Sequence, residues 1–138
     1  MQIIGFNLTN VLVERKEKLE GKLDVKQNID IADVSKEKIP FSDNEAIKID
    51  FNFIVTYEPD FAKLNLKGYL VILVDKEEMK KFLKSWKDKK LPEGSNISLF
   101  NFIMSKCNIK ALNLEDELNL PFHVPMPKIN PNNMQQQS

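Results

Sequence analysis

Few side chains of this sequence have the residue types and the spacing that catalysis or metal binding requires. The chain has a single histidine, His123, and a single cysteine, Cys107. His123 lies between Phe122 and Val124, and neither His-x-x-x-His nor Cys-x-x-Cys occurs to complete a metal pair. We therefore expect His123 to pack and make one hydrogen bond. A small-ligand enzyme built around it is the less favoured alternative.

The remaining candidates for catalysis are equally sparse. Cys107 lies in an apolar stripe of helical spacing, where a buried thiol is usually inert. The consecutive carboxylates Glu115, Asp116 and Glu117 cannot share one helical face, and we expect them to be solvated. No glycine-rich phosphate loop and no strand-to-helix serine turn occurs in the sequence. The sequence predicts a protein that is not an enzyme and that uses no metal or cofactor.

The charge balance narrows the possible partners. The 138 residues include 20 Lys+Arg and 20 Asp+Glu, so the formal net charge is zero and no overall field attracts nucleic acid or an anionic membrane. The lysine-rich segment 76–90 also contains acidic residues, which favours a solvated helix face over a nucleic-acid patch. No signal peptide or membrane-spanning run is apparent. We expect a cytoplasmic protein with no nucleic-acid partner and no membrane insertion.

Four segments have the pattern of β-strands. In "AIKIDFNFIVTYEP", every odd position from Ile47 to Tyr57 is apolar, which is typical of a half-buried strand. The segment "LEGKLDVKQNIDIAD" alternates from Leu19 to Ile31 with a charged outer face that suits a sheet edge, and "IIGFNLTNVLVER" changes parity at a predicted bulge near Asn10. The turn signals are "SKEKIPFSDNE" and "EPDF", the second of which predicts a hairpin.

The fourth strand, "FAKLNLKGYLVILVD", is apolar at every position from 69 to 74. Tyr69, Val71 and Leu73 form a second apolar row, so we expect both faces of this strand to be covered. Either the helices cover both rows within one molecule, or the second row belongs to an interface.

Two helices follow the strands. In "DKEEMKKFLKSWKDKK", Asp75 and Glu78 have the spacing of a capping box, and an apolar stripe runs from Met79 to Trp86. In "SNISLFNFIMSKCNIKAL", Phe102 and Met104 lie outside the apolar stripe, and "NLEDELN" predicts one or two further turns.

Prolines at 121, 125, 127 and 131 then exclude a helix and favour an extended segment, which we call the strap (residues 120–131). The predicted fold class is α+β: a four-stranded antiparallel sheet, two C-terminal helices on one face and a proline-rich extended tail. One domain spans 1–130, and 131–138 is a flexible polar tail.

The order of elements resembles the SecB-like fold of the bacterial protein-export chaperone SecB and its relatives. The segments "NISLFNFIMSKCNIKALN", "LNLPFHVPMPKI" and "GYLVILV" carry the resemblance. It implies an ATP-independent, metal-free homo-oligomer, a dimer or tetramer, that holds unfolded or partner polypeptides in apolar grooves. Residues expected at the groove or the interface are Tyr69, Val71, Leu73, Phe100, Phe102, Met104, Phe122, Val124 and Met126.

The chain departs from the export chaperone in its charge. The export chaperone is strongly acidic and docks the translocation motor through its acidic sheet surface, whereas this chain is neutral. The resemblance is therefore compatible with a role in protein export and also with a role as chaperone of one dedicated partner, such as an antitoxin. The alternative is a structural or adaptor subunit whose apolar surface is fully used by a fixed oligomer.

Overall fold

The computed structural model describes residues 1–40, 45–125 and 127, and it has four strands followed by two helices. The elements are β1 (Gln2–Arg15), β2 (Asp24–Lys38), β3 (Glu45–Glu58), β4 (Ala62–Val74), α1 (Lys76–Trp86) and α2 (Asn96–Glu117). All four strands pair antiparallel in the order β1-β4-β3-β2, so β1 and β2 are the edges. The predicted α+β class and element order are confirmed. The predicted tail, 131–138, lies outside the described residues.

The core lies between one face of the sheet and the two helices. Strand β3 alternates as predicted, with every odd side chain from Ile47 to Tyr57 at most 1% exposed. The inward residues of β4, including Leu70 and Ile72, join the same cluster as Met79 of α1 and the buried stripe of α2. Burying each such side chain contributes about 1.5–3 kcal/mol, so β3 and β4 are the most strongly held strands.

The edge strands are irregular. The register of β1 shifts between Leu8 and Asn10, which confirms the predicted bulge. The register of β2 shifts between Ile31 and Asp33, and after the shift Val34 faces inward opposite Ile49. The predicted bounds of this strand were wrong at both ends. The strand begins at Asp24 and not at Leu19. It continues to Lys38, because its pairing with β3 extends through a segment whose composition is typical of a turn.

The helix boundaries have clear local causes. The capping box of α1 is present: the Glu78 N–H donates to Asp75 Oδ1 at 2.8 Å, and the Asp75 N–H donates to Glu78 Oε1 at 3.3 Å. Helix α2 continues into the segment predicted to add one or two further turns and ends at Glu117. At its end, Arg15 Nη1 donates to the Leu118 and Asn119 carbonyls at 2.8 and 3.3 Å. Neither α1 nor α2 is long and apolar enough to cross a bilayer.

Gly68 of β4 lies where the strand leaves no room for a side chain beside β1. A Cβ at this position would overlap the Asn7 carbonyl oxygen and lie 3.0 Å from Phe51 Cζ. We expect Gly68→Ala to lower the free energy of unfolding by about 2 kcal/mol, measured by urea denaturation, because the strands must separate to admit the methyl group. Gly5→Ala is the matched control, since its nearest atom, Val71 Cβ, would lie at 3.7 Å. Equal stabilities of the two variants would contradict this interpretation.

Candidate functional site

An open groove lies where the edge strand β2 meets the connection between α1 and α2. Its volume is about 590 Å³. Its apolar walls are Ile29 and Ile31 of β2, Trp86 at the end of α1, Leu91 of the connection and Phe100 of α2. The lining also includes Asp30, Lys89, Lys90, Glu93 and Asn96, whose formal charges cancel. The groove therefore suits apolar side chains and has no strong preference for the charge of a ligand.

The connection between the helices has a defined shape. Lys89 takes a left-handed conformation with φ of 57°, and the Lys90 N–H donates back to the Ser85 carbonyl at 3.2 Å. The ammonium of Lys89 lies 4.8 Å from the centroid of the Trp86 ring, within range of a cation–π interaction. Further along, Ser95 Oγ donates to the Pro92 carbonyl at 2.9 Å. These contacts hold the apolar wall of the groove beside β2.

Strand β2 contributes both side chains and backbone to the groove. Ile29 pairs with Phe53 and Ile31 pairs with Phe51, so both isoleucines face the helices. As an edge strand, β2 has no strand on its outer side within the described residues. An extended peptide can therefore hydrogen-bond to this edge and place alternate side chains in the groove.

Of the eight residues predicted for the site that the structure describes, Phe100 is the one that lines this groove. Tyr69, Val71 and Leu73 lie on the opposite face of the sheet and are half-buried, with the Lys48 ammonium 4.7 Å from the Tyr69 ring centroid. The helices pack against the face that carries the alternate residues of the strand, so they do not cover both rows within one molecule. That the second row belongs to an interface stays a prediction.

Two of the residues predicted for the site, Phe102 and Met104, lie outside the apolar stripe of α2. Phe102 is half-buried and meets the Phe6 ring edge-on at 6.0 Å, and Phe6 stacks on Phe51 at 5.5 Å. Phe102 therefore closes the core at β1 and adds less free apolar surface than predicted. Met104 is half-buried.

The predicted residues of the strap do not reach the groove within the described part of the chain. Phe122 is 42% exposed, Val124 is half-buried, and Met126 lies outside the described residues. The nine residues predicted for binding are thus not brought together on one surface, and their role in binding stays a prediction.

A buried polar cluster joins β3, α2 and the strap, and sequence reasoning missed it. The Tyr57 hydroxyl donates to Glu115 Oε2, and His123 Nδ1 lies 2.8 Å from Glu115 Oε1. On the other side of the ring, His123 Nε2 lies 2.7 Å from Asn108 Oδ1. The side chains of Glu115 and His123 are both 0% exposed. The expectations that Glu115 is solvated and that His123 makes a single hydrogen bond were wrong.

The hydrogen-bonding pattern defines the chemistry of this cluster. His123 Nδ1 is within hydrogen-bond distance of both oxygens of the Glu115 carboxyl group, and Nε2 is within that distance of the Asn108 side-chain amide, so both ring nitrogens have polar partners. Burial, reinforced by the hydrogen bond to Glu115, raises the pKa of Tyr57 far above its usual value, so its hydroxyl stays a donor. The side chains of Glu115 and His123 are shielded from solvent, which suits a structural clamp and leaves a substrate no access.

The other candidates for chemistry are inert or dispersed. Cys107 is fully buried, and burial raises the pKa of its thiol to about 12, so the reactive thiolate is disfavoured. Within residues 1–40, 45–125 and 127, no three His, Cys, Asp or Glu side chains converge as metal ligands would.

One comparison with known proteins supports the architecture, the one with solved structures. No family model matches the chain, and no curated protein matches it in sequence. Among solved structures, it is similar to a SecB-like chaperone of Mycobacterium tuberculosis in complex with a ChAD peptide from the HigA1 antitoxin. The TM-score is 0.51 at 12% identity, over 94% of this chain and 89% of that chain. The chain therefore has a SecB-like fold, as its order of elements predicts.

Proposed function

We propose that this protein binds polypeptides and holds apolar segments of unfolded or partner chains in the groove beside β2, without ATP. The observation that carries the proposal is the combination of a groove of about 590 Å³ with apolar walls and a strand edge that pairs with no other strand among the described residues. Backbone hydrogen bonds to β2 would supply affinity for any sequence, while the pocket formed by Trp86, Leu91 and Phe100 would favour large apolar side chains. The antitoxin peptide bound to the structural neighbour is a precedent for polypeptide binding on this fold.

The second edge of the sheet supports self-association. Of the eight exposed large hydrophobic residues in the described chain, four lie at or in β1: Met1, Ile4, Val11 and Leu12. An unpaired edge strand with exposed apolar side chains is a ready template for pairing with a second copy. We propose a homo-oligomer formed through β1, which leaves the groove beside β2 free because the two edges lie on opposite sides of the sheet.

The experiment that tests polypeptide binding uses an unfolded client. We expect the purified protein to suppress aggregation of a chemically denatured enzyme on dilution, without ATP, and to bind a fluorescent dye that detects apolar surface. An extended apolar peptide should compete for the dye. Absence of both dye binding and aggregation suppression would overturn the proposal.

A structural or adaptor subunit is the second candidate function, and the apolar β1 edge favours it. In that case the native mass would indicate an oligomer, while the groove would bind neither dye nor peptide. Native mass measured together with dye titration separates the two functions, and a strict monomer at micromolar concentration would count against oligomerisation in either.

A further inference from the structure

The positive charge of this neutral chain is concentrated on α1 and the connection that follows it. Segment 76–90 contains seven lysines and three carboxylates, a net charge of +4, so the rest of the chain is net acidic. All seven lysines are exposed. None of them takes part in an ion pair within residues 1–40, 45–125 and 127. The charge therefore lies at the surface, where a partner from outside can meet it.

Four of these residues, which we call the lysine stripe, follow one side of α1: Lys76, Lys80, Lys84 and Lys87. Their spacing of four, four and three residues places them above one another on the helix. At the end of the helix, Lys84 and Lys87 complement the helix dipole, but Lys76 is the first residue of α1, where the positive end of the dipole opposes a cation. The stability of the helix therefore does not explain the whole stripe.

The carboxylates of the segment neutralise the lysine stripe only in part. Glu78 is engaged in the capping box and lies 3.1 Å from the amino nitrogen of Met1. Glu77 precedes Lys80 by three residues, and Asp88 follows the end of the helix. Neither Glu77 nor Asp88 takes part in an ion pair in the described chain. Even with both carboxylates close by, two of the four lysines of the stripe remain uncompensated.

The lysine stripe leads to the groove. Helix α1 packs across β4, β3 and β2, and it ends at Trp86, which lines the groove together with Lys89 and Lys90. From the groove, the stripe extends along α1 for about 16 Å, at about 1.5 Å per residue between Lys87 and Lys76. An extended polypeptide covers this distance with about five residues. A chain that leaves the groove along α1 therefore meets the lysines within its next few residues.

The chemistry of this surface suits the carboxylates of a polypeptide better than nucleic acid. Segment 76–90 contains no arginine, whose planar fork binds phosphate with two hydrogen bonds. Its two aromatic side chains offer no free stacking surface: Phe82 is 2% exposed, and Trp86 lines the groove with the Lys89 ammonium 4.8 Å from its ring centroid. Exposed, flexible ammonium groups can still pair with aspartate and glutamate side chains.

We propose that the partner polypeptide carries acidic residues next to its apolar segment, and that these acidic residues lie along the lysine stripe while the apolar segment occupies the groove. The charges that line the groove cancel, so the stripe supplies the charge preference that the groove lacks. The inference rests on the proposed function, because it requires the groove to hold an apolar polypeptide segment.

Two labelled peptides that differ only in their flanks provide the test. Both contain one apolar segment of alternating leucine and threonine, which continues at both ends into about five aspartates in one peptide and about five serines in the other. By fluorescence anisotropy at low salt, we expect the natural protein to bind the aspartate peptide at least fivefold more tightly, because several exposed ion pairs each contribute a little. In about 0.5 M salt the affinities should agree within about twofold, since exposed charges are screened.

Charge reversal locates the acidic flank on the protein. In the variant Lys80→Glu with Lys84→Glu, the preference for the aspartate peptide should be lost. The matched control is Lys67→Glu with Lys110→Glu, which changes the net charge equally at exposed lysines outside the stripe and the groove. We expect the control to keep a preference of at least threefold, and melting curves show that both variants are folded.

The outcomes separate this inference from the proposed function. Equal binding of the two peptides by the natural protein, or loss of the preference in the control as well, would overturn the acidic partner and leave polypeptide binding in place. Binding of neither peptide would overturn the proposed function and this inference with it. A DNA duplex that binds more tightly than the aspartate peptide and depends on the same two lysines would overturn the inference in favour of nucleic acid.

Discussion

Replacing Phe100 by alanine is expected to weaken binding of an extended apolar peptide at least tenfold, a loss of about 1.4 kcal/mol of binding free energy. Phe100 is one of two half-buried aromatic side chains that line the groove, and truncating a buried aromatic side chain of an interface often has one of the largest effects on affinity. The measurement is fluorescence anisotropy of a labelled peptide of alternating leucine and lysine, titrated with each variant at constant salt.

Phe122→Ala is the matched control for this prediction. It removes the same side chain from the strap, where it is 42% exposed and does not line the groove. We expect its affinity to stay within about twofold of the natural protein, since exposed single contacts contribute little. If Phe122→Ala weakened binding as much as Phe100→Ala, the peptide would have to contact the strap surface. That result would contradict binding in the groove beside β2.

Replacing Glu115 by alanine is expected to lower the free energy of unfolding by about 4 kcal/mol, because it leaves the Tyr57 hydroxyl and the His123 ring buried without their partner. The Glu115 residue is 0% exposed. Urea unfolding followed by Trp86 fluorescence provides the measurement.

Glu117→Ala supplies the control on the same helix. Glu117 is exposed, so its removal should change the stability by less than about 0.5 kcal/mol. Equal effects of the two substitutions would contradict a structural role for the buried cluster. Glu115→Gln, which preserves the acceptor for Tyr57, should retain more stability than Glu115→Ala.

Local patterns predicted the framework of the fold well. The alternation of β3, the capping box at Asp75 and the bulge near Asn10 each depend on residues that are close in sequence, and each was confirmed. The end of β2 was misplaced because pairing with β3 outweighs the turn-like composition of the segment before Lys38. Tertiary pairing thus extended a strand that local propensity would have ended.

The candidate site depends on contacts that the sequence does not display. Ile29 and Trp86 are far apart in the chain, and each fits a core position in its own element. Their convergence follows from the place of β2 at the edge and from the turn at Lys89. Phe100 was predicted through its apolar character and the resemblance to the SecB-like fold, and among the predicted residues that the structure describes it is the one that lines the groove.

The buried cluster shows why the burial of single polar residues is difficult to predict from the sequence. Glu115 stands among other acidic residues, a pattern that usually indicates a solvated segment, and His123 has no partner nearby in the sequence. One useful signal was available: Glu115 lies four residues after Ala111 and eight after Cys107, on the buried side of α2. Continuing the helical period through the acidic run would have placed this carboxylate inward, where it requires partners.

Amide hydrogen exchange of β2 with and without bound peptide tests polypeptide binding most directly. On addition of an extended apolar peptide, we expect slower exchange in residues 28–33, at the edge beside the groove, and no change in residues 69–73 on the central strand β4. Slower exchange arises because the peptide backbone would hydrogen-bond to the open edge. Saturating peptide that leaves exchange in 28–33 unchanged would contradict binding at this groove.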